Sequence, residues 1–271
     1  MSSLSSLNSV KRACGKRPSV LPPVIFNTIV VDRSLSMSSY GIEIKKQILR
    51  YINEIRKLSD TIKKPIFLSL TTFNNDATTY IDNDKTSNLE KHINYLNENV
   101  EWFLPQGSTR LIDTLIDALK HQERDIDNYY TNLSKDVQKI FNRSDIKKVI
   151  TVITDGIDNK SYNSSWDLNS KMKQFYKTNG LGFFIGANQD AIKTGIEFGF
   201  SKDSSITIGN NSISLKNVFD ATIPLLKEYS VNNVLHRQIS YTSLQRMKSV
   251  SSMNVTKSTT LQRVSSGLLT V

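Results

Sequence analysis

Val24-Ile-Phe-Asn-Thr-Ile-Val-Val-Asp32-Arg-Ser-Leu-Ser36 decides how the rest of the chain is read. After Pro22 and Pro23 comes a short run rich in β-branched residues, the composition of a strand buried on both faces of a parallel sheet. It ends at an acid. Lys148-Val-Ile-Thr-Val-Ile-Thr-Asp155 is a second such run ending at an acid, and Leu181-Gly-Phe-Phe-Ile-Gly186 is a third. Between them, Ile44, Ile48, Ile52 and Ile55 recur at spacings of three and four over about residues 38–58, which places them on one helical face. Leu111, Ile112, Leu115, Ile116 and Leu119 repeat that period over 111–120, and further helices are expected over 130–141 and 166–178. Residues 65–73 and 77–81 flank the turn-rich Asn74-Asn75-Asp76 and read as a hairpin. The expected fold is α/β and doubly wound: a mostly parallel central sheet with one antiparallel hairpin edge strand and helices on both faces. Ligands in such folds sit at the C-terminal ends of the strands.

The chain has 271 residues, 38% of them hydrophobic, one cysteine and no apolar run of membrane-spanning length. A disulfide scaffold and a membrane span are thereby excluded as readings, and an intracellular, cytoplasmic setting is expected. The formal charge of +10 is uneven. Residues 1–22 carry Lys11, Arg12, Lys16 and Arg17 and no acid, and residues 227–271 carry six bases against Glu228, so the two ends hold nine of the ten net positive charges. Both ends are poor in large apolar clusters, and 14 of the last 45 residues are Ser or Thr. Such segments bury too little to offset their ordering entropy. The expected organisation is a flexible basic arm over 1–22, one domain over 23–226 and a flexible basic tail over 227–271. A domain of that size buries about 70% of its unfolded surface in one core.

Three polar motifs fall where the strand-end rule puts a site: Asp32-Arg33-Ser34-Leu35-Ser36, Gly107-Ser108-Thr109 and Thr154-Asp155-Gly156. Singly, each has a plain structural explanation. The first two precede helices and could satisfy free backbone N–H groups as N-caps, and the third could be a turn. Together, in this order, they resemble the von Willebrand factor A family, whose metal-ion-dependent adhesion site uses D-x-S-x-S, a loop Thr and a later Asp. The resemblance covers nearly all of residues 24–225. It is closest to the stand-alone bacterial and phage-type members, through Thr154-Asp155-Gly156-Ile157-Asp158-Asn159-Lys160-Ser161 and Phe184-Ile185-Gly186-Ala187-Asn188.

What this resemblance implies is a divalent cation, Mg²⁺ or Mn²⁺, held by Asp32, Ser34, Ser36, Thr109 and Asp155. Mg²⁺ favours six hard oxygen ligands, and neutral hydroxyls with two carboxylates leave it under-compensated. It therefore attracts a further anionic oxygen, in this family a carboxylate of a partner protein. Asp158 and Asp190 lie near the same rim, where a loop turn and a helix N-cap are the simpler roles. The sequence departs from the family at Leu35, where relatives often have Gly, and at Ile157, where relatives often have an acid. The first puts in doubt any positive φ at that position, and the second removes a charge near the site.

Catalysis is not expected. There is no G-x-S-x-G elbow and no G-x-x-x-x-G-K-[ST] loop, and His92, His121 and His236 read as scattered surface histidines. Cys14 reads as an incidental thiol. In the tail, Ser240, Ser249 and Ser266 each follow an Arg by three residues, the spacing basophilic kinases read, and phosphorylation there would offset the positive charge. The alternative function is a metal-independent scaffold whose basic tails hold an anionic surface or nucleic acid. In composition the N-terminal arm also resembles a transit peptide.

Overall fold

β-Branched and aromatic side chains in short runs set the sheet, and the helical stripes between the runs cover it. The computed structural model describes residues 24–155, 158–187, 190–209, 211–232 and 236–250. Six strands, β1 (Ile25–Asp32), β2 (Ile66–Phe73), β3 (Ala77–Lys85), β4 (Lys147–Thr154), β5 (Gly180–Ala187) and β6 (Ser205–Ile208), form one sheet in the order β3-β2-β1-β4-β5-β6. Neighbours are parallel except the β2–β3 hairpin, which is antiparallel. Every residue of β1, β4 and β5 is buried, as two-sided coverage requires.

The alternation of side chains divides the core. Ile29, Val31, Val149, Ile153, Phe183 and Ile185 join the stripes of α1 (Gly41–Ile62), α2 (Leu89–Glu98) and α7 (Ser212–Val231) on one face. Val30, Ile150, Val152 and Phe184 join those of α3 (Leu111–Thr131), α5 (Ser165–Lys177) and α6 (Ala191–Glu197) on the other. The doubly wound sheet expected from the sequence is therefore the fold observed.

Three expectations need correction. Residues 111–120 and 130–141 are not two helices. α3 runs unbroken through Thr131, and only the single turn α4 (Lys135–Gln138) follows. Its continuity was hidden because the buried face turns polar: Gln122 Nε2 donates to Thr28 Oγ1 at 2.8 Å and to the Val149 carbonyl at 3.0 Å, tying the helix to β1 and β4. Second, the domain does not stop at residue 226. α7 continues to Val231, Ile239 and Tyr241 are buried in the main core, and α8 (Ser243–Val250) packs beside β6. The Tyr241 hydroxyl meets Thr222 Oγ1 at 2.7 Å, and the Ser249 carbonyl accepts from Gly209 N at 2.8 Å. Third, Ser249 is buried, and the guanidinium of Arg246 donates to the carbonyls of Ser205, Lys202 and Asp203. A kinase would have to unfold α8 to reach that serine. Ser240 is exposed. The arm over 1–22, with Cys14, and Ser266 lie outside the described residues. No helix among the described residues is long and apolar enough to cross a membrane.

Candidate metal centre

The strand order reverses between β1 and β4, and the two parallel strands end side by side there. In open α/β sheets such a switch point is where the crevice for a ligand lies. Asp32, the last residue of β1, is fully buried there. Its carboxylate accepts from Ser34 N at 2.7 Å and from the Thr154 hydroxyl, at the end of β4, at 2.7 Å. The Ser34 and Ser36 hydroxyls sit 3.0 Å apart. Ser34 is buried, whereas Ser36 belongs to an exposed turn.

Backbone hydrogen bonds stitch the other two motifs to this one. Leu35 N donates to the Gly107 carbonyl at 3.2 Å, and Gln106 N to the Arg33 carbonyl at 2.8 Å, so the loop carrying Thr109 lies against the first motif. Thr109 N then donates to Asn159 Oδ1 at 2.9 Å, while Asn159 N returns a bond to the Thr109 carbonyl at 3.0 Å. Gly107 is required where it stands. Its φ is +74°, and a Cβ there would meet Asn75 Oδ1 at 2.9 Å, the atom that accepts from Ser108 N at 2.7 Å. The turn between β2 and β3 thus shapes the same loop.

Asp32, Ser34, Ser36, Thr109 and Asp155 are all at this edge of the sheet, on loops bonded to one another. The Asp32 carboxylate is electrostatically strained. Burial pushes Asp32 up to about 6 despite the hydrogen bonds from Ser34 and Thr154, and the negative charge of Asp155 adds to the rise. No basic side chain among the described residues pairs with Asp32. Burial and the charge of Asp155 also hold the Tyr40 hydroxyl up at about 12, and that hydroxyl is buried with no hydrogen-bond partner. Hydroxyl oxygens around the buried Asp32 carboxylate, which no basic side chain among the described residues balances, form a donor set that suits a hard divalent ion.

Asp158 and Asp190 take their simpler roles. Asp158 Oδ1 accepts from Leu111 N at 2.8 Å and from the Ser161 hydroxyl at 2.7 Å, so it caps α3 from a distant loop. Neither Thr109 nor any other residue of its own loop provides that cap. Asp190 caps α6 by accepting from Lys193 N at 3.1 Å. At Leu35 the doubt raised by the missing Gly disappears. Leu35 opens a 3₁₀ turn without a positive φ, and its side chain is 64% exposed. Ile157 lies outside the described residues, as does Asn188. Sequence reading missed Tyr40, which carries no motif, and Asp113. The Asp113 carboxylate receives Tyr162 N, Asn163 N, Asn163 Nδ2 and Arg110 Nε, so it locks the loop after β4 onto α3.

No protein-family model matches the chain, and no curated protein matches it by sequence. Solved structures do. Proximal thread matrix protein 1 from the mussel byssus is similar over 76% of this chain and 46% of that one, at 14% identity and a TM-score of 0.51. The pilus adhesin SpaC from Lactobacillus rhamnosus GG, in an open conformation, is similar over 79% of this chain and 31% of that one, at 11% identity and a TM-score of 0.51. A von Willebrand factor type A structure from Catenulispora acidiphila matches at 16% identity and a TM-score of 0.48, over 77% of this chain and 42% of that one. The chain therefore spans less than half the length of each. The mussel protein is also known with a zinc-occupied MIDAS motif. With the strand order above, the likenesses to the mussel protein and to SpaC, each at a TM-score of 0.51, show the fold to be von Willebrand factor A-like.

Proposed function

We propose that this chain is a metal-dependent protein-interaction module acting inside the cell. Asp32, Ser34, Ser36, Thr109 and Asp155 would hold Mg²⁺ or Mn²⁺ at the switch point, and the ion would supply an open coordination position for a carboxylate on a partner protein. The observation that carries this reading is the fully buried Asp32 carboxylate, bonded to Ser34 N and Thr154 and facing the charge of Asp155 without a basic partner. Unpaired buried charge is costly, and a divalent ion relieves it. The residues of this chain bind and orient. On this reading the output is recognition without turnover.

The test is thermal melting of the wild type and of Asp32→Ala, each in EDTA and in millimolar Mg²⁺ or Mn²⁺. Specific binding at about 100 times Kd adds about 2.7 kcal/mol, which raises the melting temperature of a domain this size by roughly 5 to 10 °C. The wild type should shift and the variant should not. If neither shifts, the metal reading fails, and binding should then be sought in the basic ends, where it would survive EDTA and weaken steeply with salt.

A further inference from the structure

We infer that Asp82, His121 and Asp125 form a second metal site, on the flank of the sheet and distinct from the crevice, that takes Zn²⁺. The first support is how Asp82 comes to face α3. In the β2–β3 register Leu70 pairs with Ile81 and Leu68 with Asp84, so Ser69 stands opposite two residues, Asp82 and Asn83. This is a β-bulge, with Asn83 held at φ 47° and its N–H donated to Ser69 Oγ at 3.0 Å. Alternation turns Asp82 away from Ile81, and the extra residue returns Asp84 to the Ile81 face, which leaves Asp82, alone of the three, on the α3 side. Here Ile81 packs in the α1 core and Asp84 reaches His92 on α2 at 2.9 Å, while Asp82 between them faces His121 on α3.

The second support is the helix. His121 and Asp125 are four residues apart on α3, neighbours on one face and the spacing that lets one helix offer two ligands to one ion. His121 Nδ1 lies 3.1 Å from Asp125 Oδ2, and Nε2 lies 3.6 Å from Asp82 Oδ1. One ring nitrogen of His121 and one oxygen of each carboxylate are all within 4.8 Å of one another. An ion about 2.0 to 2.2 Å from each donor needs only small side-chain adjustments to bind, with one of the two present imidazole contacts giving way. Burial raises Asp125 above the usual carboxylate range, with the charge of Asp82 adding to the rise and His121 and Arg124 opposing it. A cation between the two carboxylates relieves that repulsion.

The site keeps an open side. Asp125 is largely buried, whereas His121 and Asp82 reach solvent. His121 also lines a cleft of about 110 Å³ with Thr71, Thr79, Thr114 and Asp117. Three protein ligands and access to water match an ion with a free position. The imidazole sets the preference: nitrogen with carboxylates favours Zn²⁺ and its neighbours over Mg²⁺, whereas the crevice offers oxygen alone. The two sites are also apart. His121 is ten residues beyond Leu111 on α3, about 15 Å along the axis.

The test is calorimetric titration of Zn²⁺ into the full chain in millimolar Mg²⁺. One zinc site should be present in the wild type and persist in Asp32→Ala, His92→Gln and Cys14→Ser. It should weaken by about tenfold or more in His121→Gln and in Asp125→Asn. Equal melting temperatures in EDTA would show that these variants fold; if Asp125→Asn melts early, Asp82→Asn, at an exposed carboxylate, must weaken zinc binding in its place. Absence of zinc uptake by the wild type would overturn the inference, as expected if the three groups are only an ion-paired bridge. Uptake unchanged by His121→Gln, or abolished by Asp32→Ala, would overturn it equally.

Discussion

Asp113 shows how one side chain can determine the shape of a site it does not enter. Burial alone would raise its carboxyl, yet the N–H groups of Tyr162 and Asn163, the Asn163 amide and Arg110 outweigh that and hold it at about 2. A carboxylate depressed below its unfolded value contributes stability that is fully present above about pH 4 and is lost as pH falls through about 2. At neutral pH that contribution is of order 2 kcal/mol, from about 1.4 kcal/mol per unit of displacement. Asp113→Ala should therefore lower the unfolding free energy by about 2 kcal/mol at pH 7 and by much less near pH 2. Urea melts at the two pH values measure this, and an equal loss at both would refute the assigned cause. Proteolysis within residues 158–164 should also become faster in the variant, because that loop loses its anchor.

At the scale of elements, α8 matters most for what it covers. β6 is a four-residue edge strand, and an open edge is a template for unwanted pairing. α8 and the Ile239–Tyr241 segment close it through buried side chains, the Gly209–Ser249 hydrogen bond and the Arg246 contacts to carbonyls before and within β6. Tyr241→Ala removes a buried ring and the bond to Thr222, a change of about 3 kcal/mol by comparison with other aromatic truncations. The expected result is a lower urea midpoint with an unchanged slope. A chain ending at residue 232 should be less stable still and should self-associate on heating, seen as light scattering. A midpoint unmoved by Tyr241→Ala would mean that this segment is a loose appendage.

Among the described residues the molecule is one sheet with a main apolar cluster on each face and a smaller one around Phe26, Phe67 and Ile126, and the candidate metal centre sits where the strand order turns. Asp113 works on the α3 face and Tyr241 on the α1 and α7 face, with no shared partner. Their effects should add within about 0.5 kcal/mol in the double variant while unfolding stays a single transition. Two resolved transitions would show that the faces unfold separately. Much of this architecture was legible in the sequence because its signals are local. Strand runs ending in Asp32 and Asp155, the periodicity of α1 and the hairpin turn at Asn74–Asp76 are set by side-chain types within a few residues of one another. So are the motifs that carry Ser34, Ser36 and Thr109, whose loops are then held together by the backbone bonds of Leu35 to Gly107 and of Gln106 to Arg33. The rest depended on partners far away in the chain. α3 reads as broken because Gln122 and Asp125 face inward, which is tolerable only because β1 and β4 supply acceptors to one and His121 meets the other. Asp158 caps a helix 47 residues earlier, and Arg246 satisfies carbonyls about 40 residues earlier. Local composition determined most of the elements that form and which oxygen-bearing motifs stand at their ends. Only the folded chain decided which polar groups are buried and what satisfies them, because a hydrogen bond between distant segments leaves no periodic trace in the sequence.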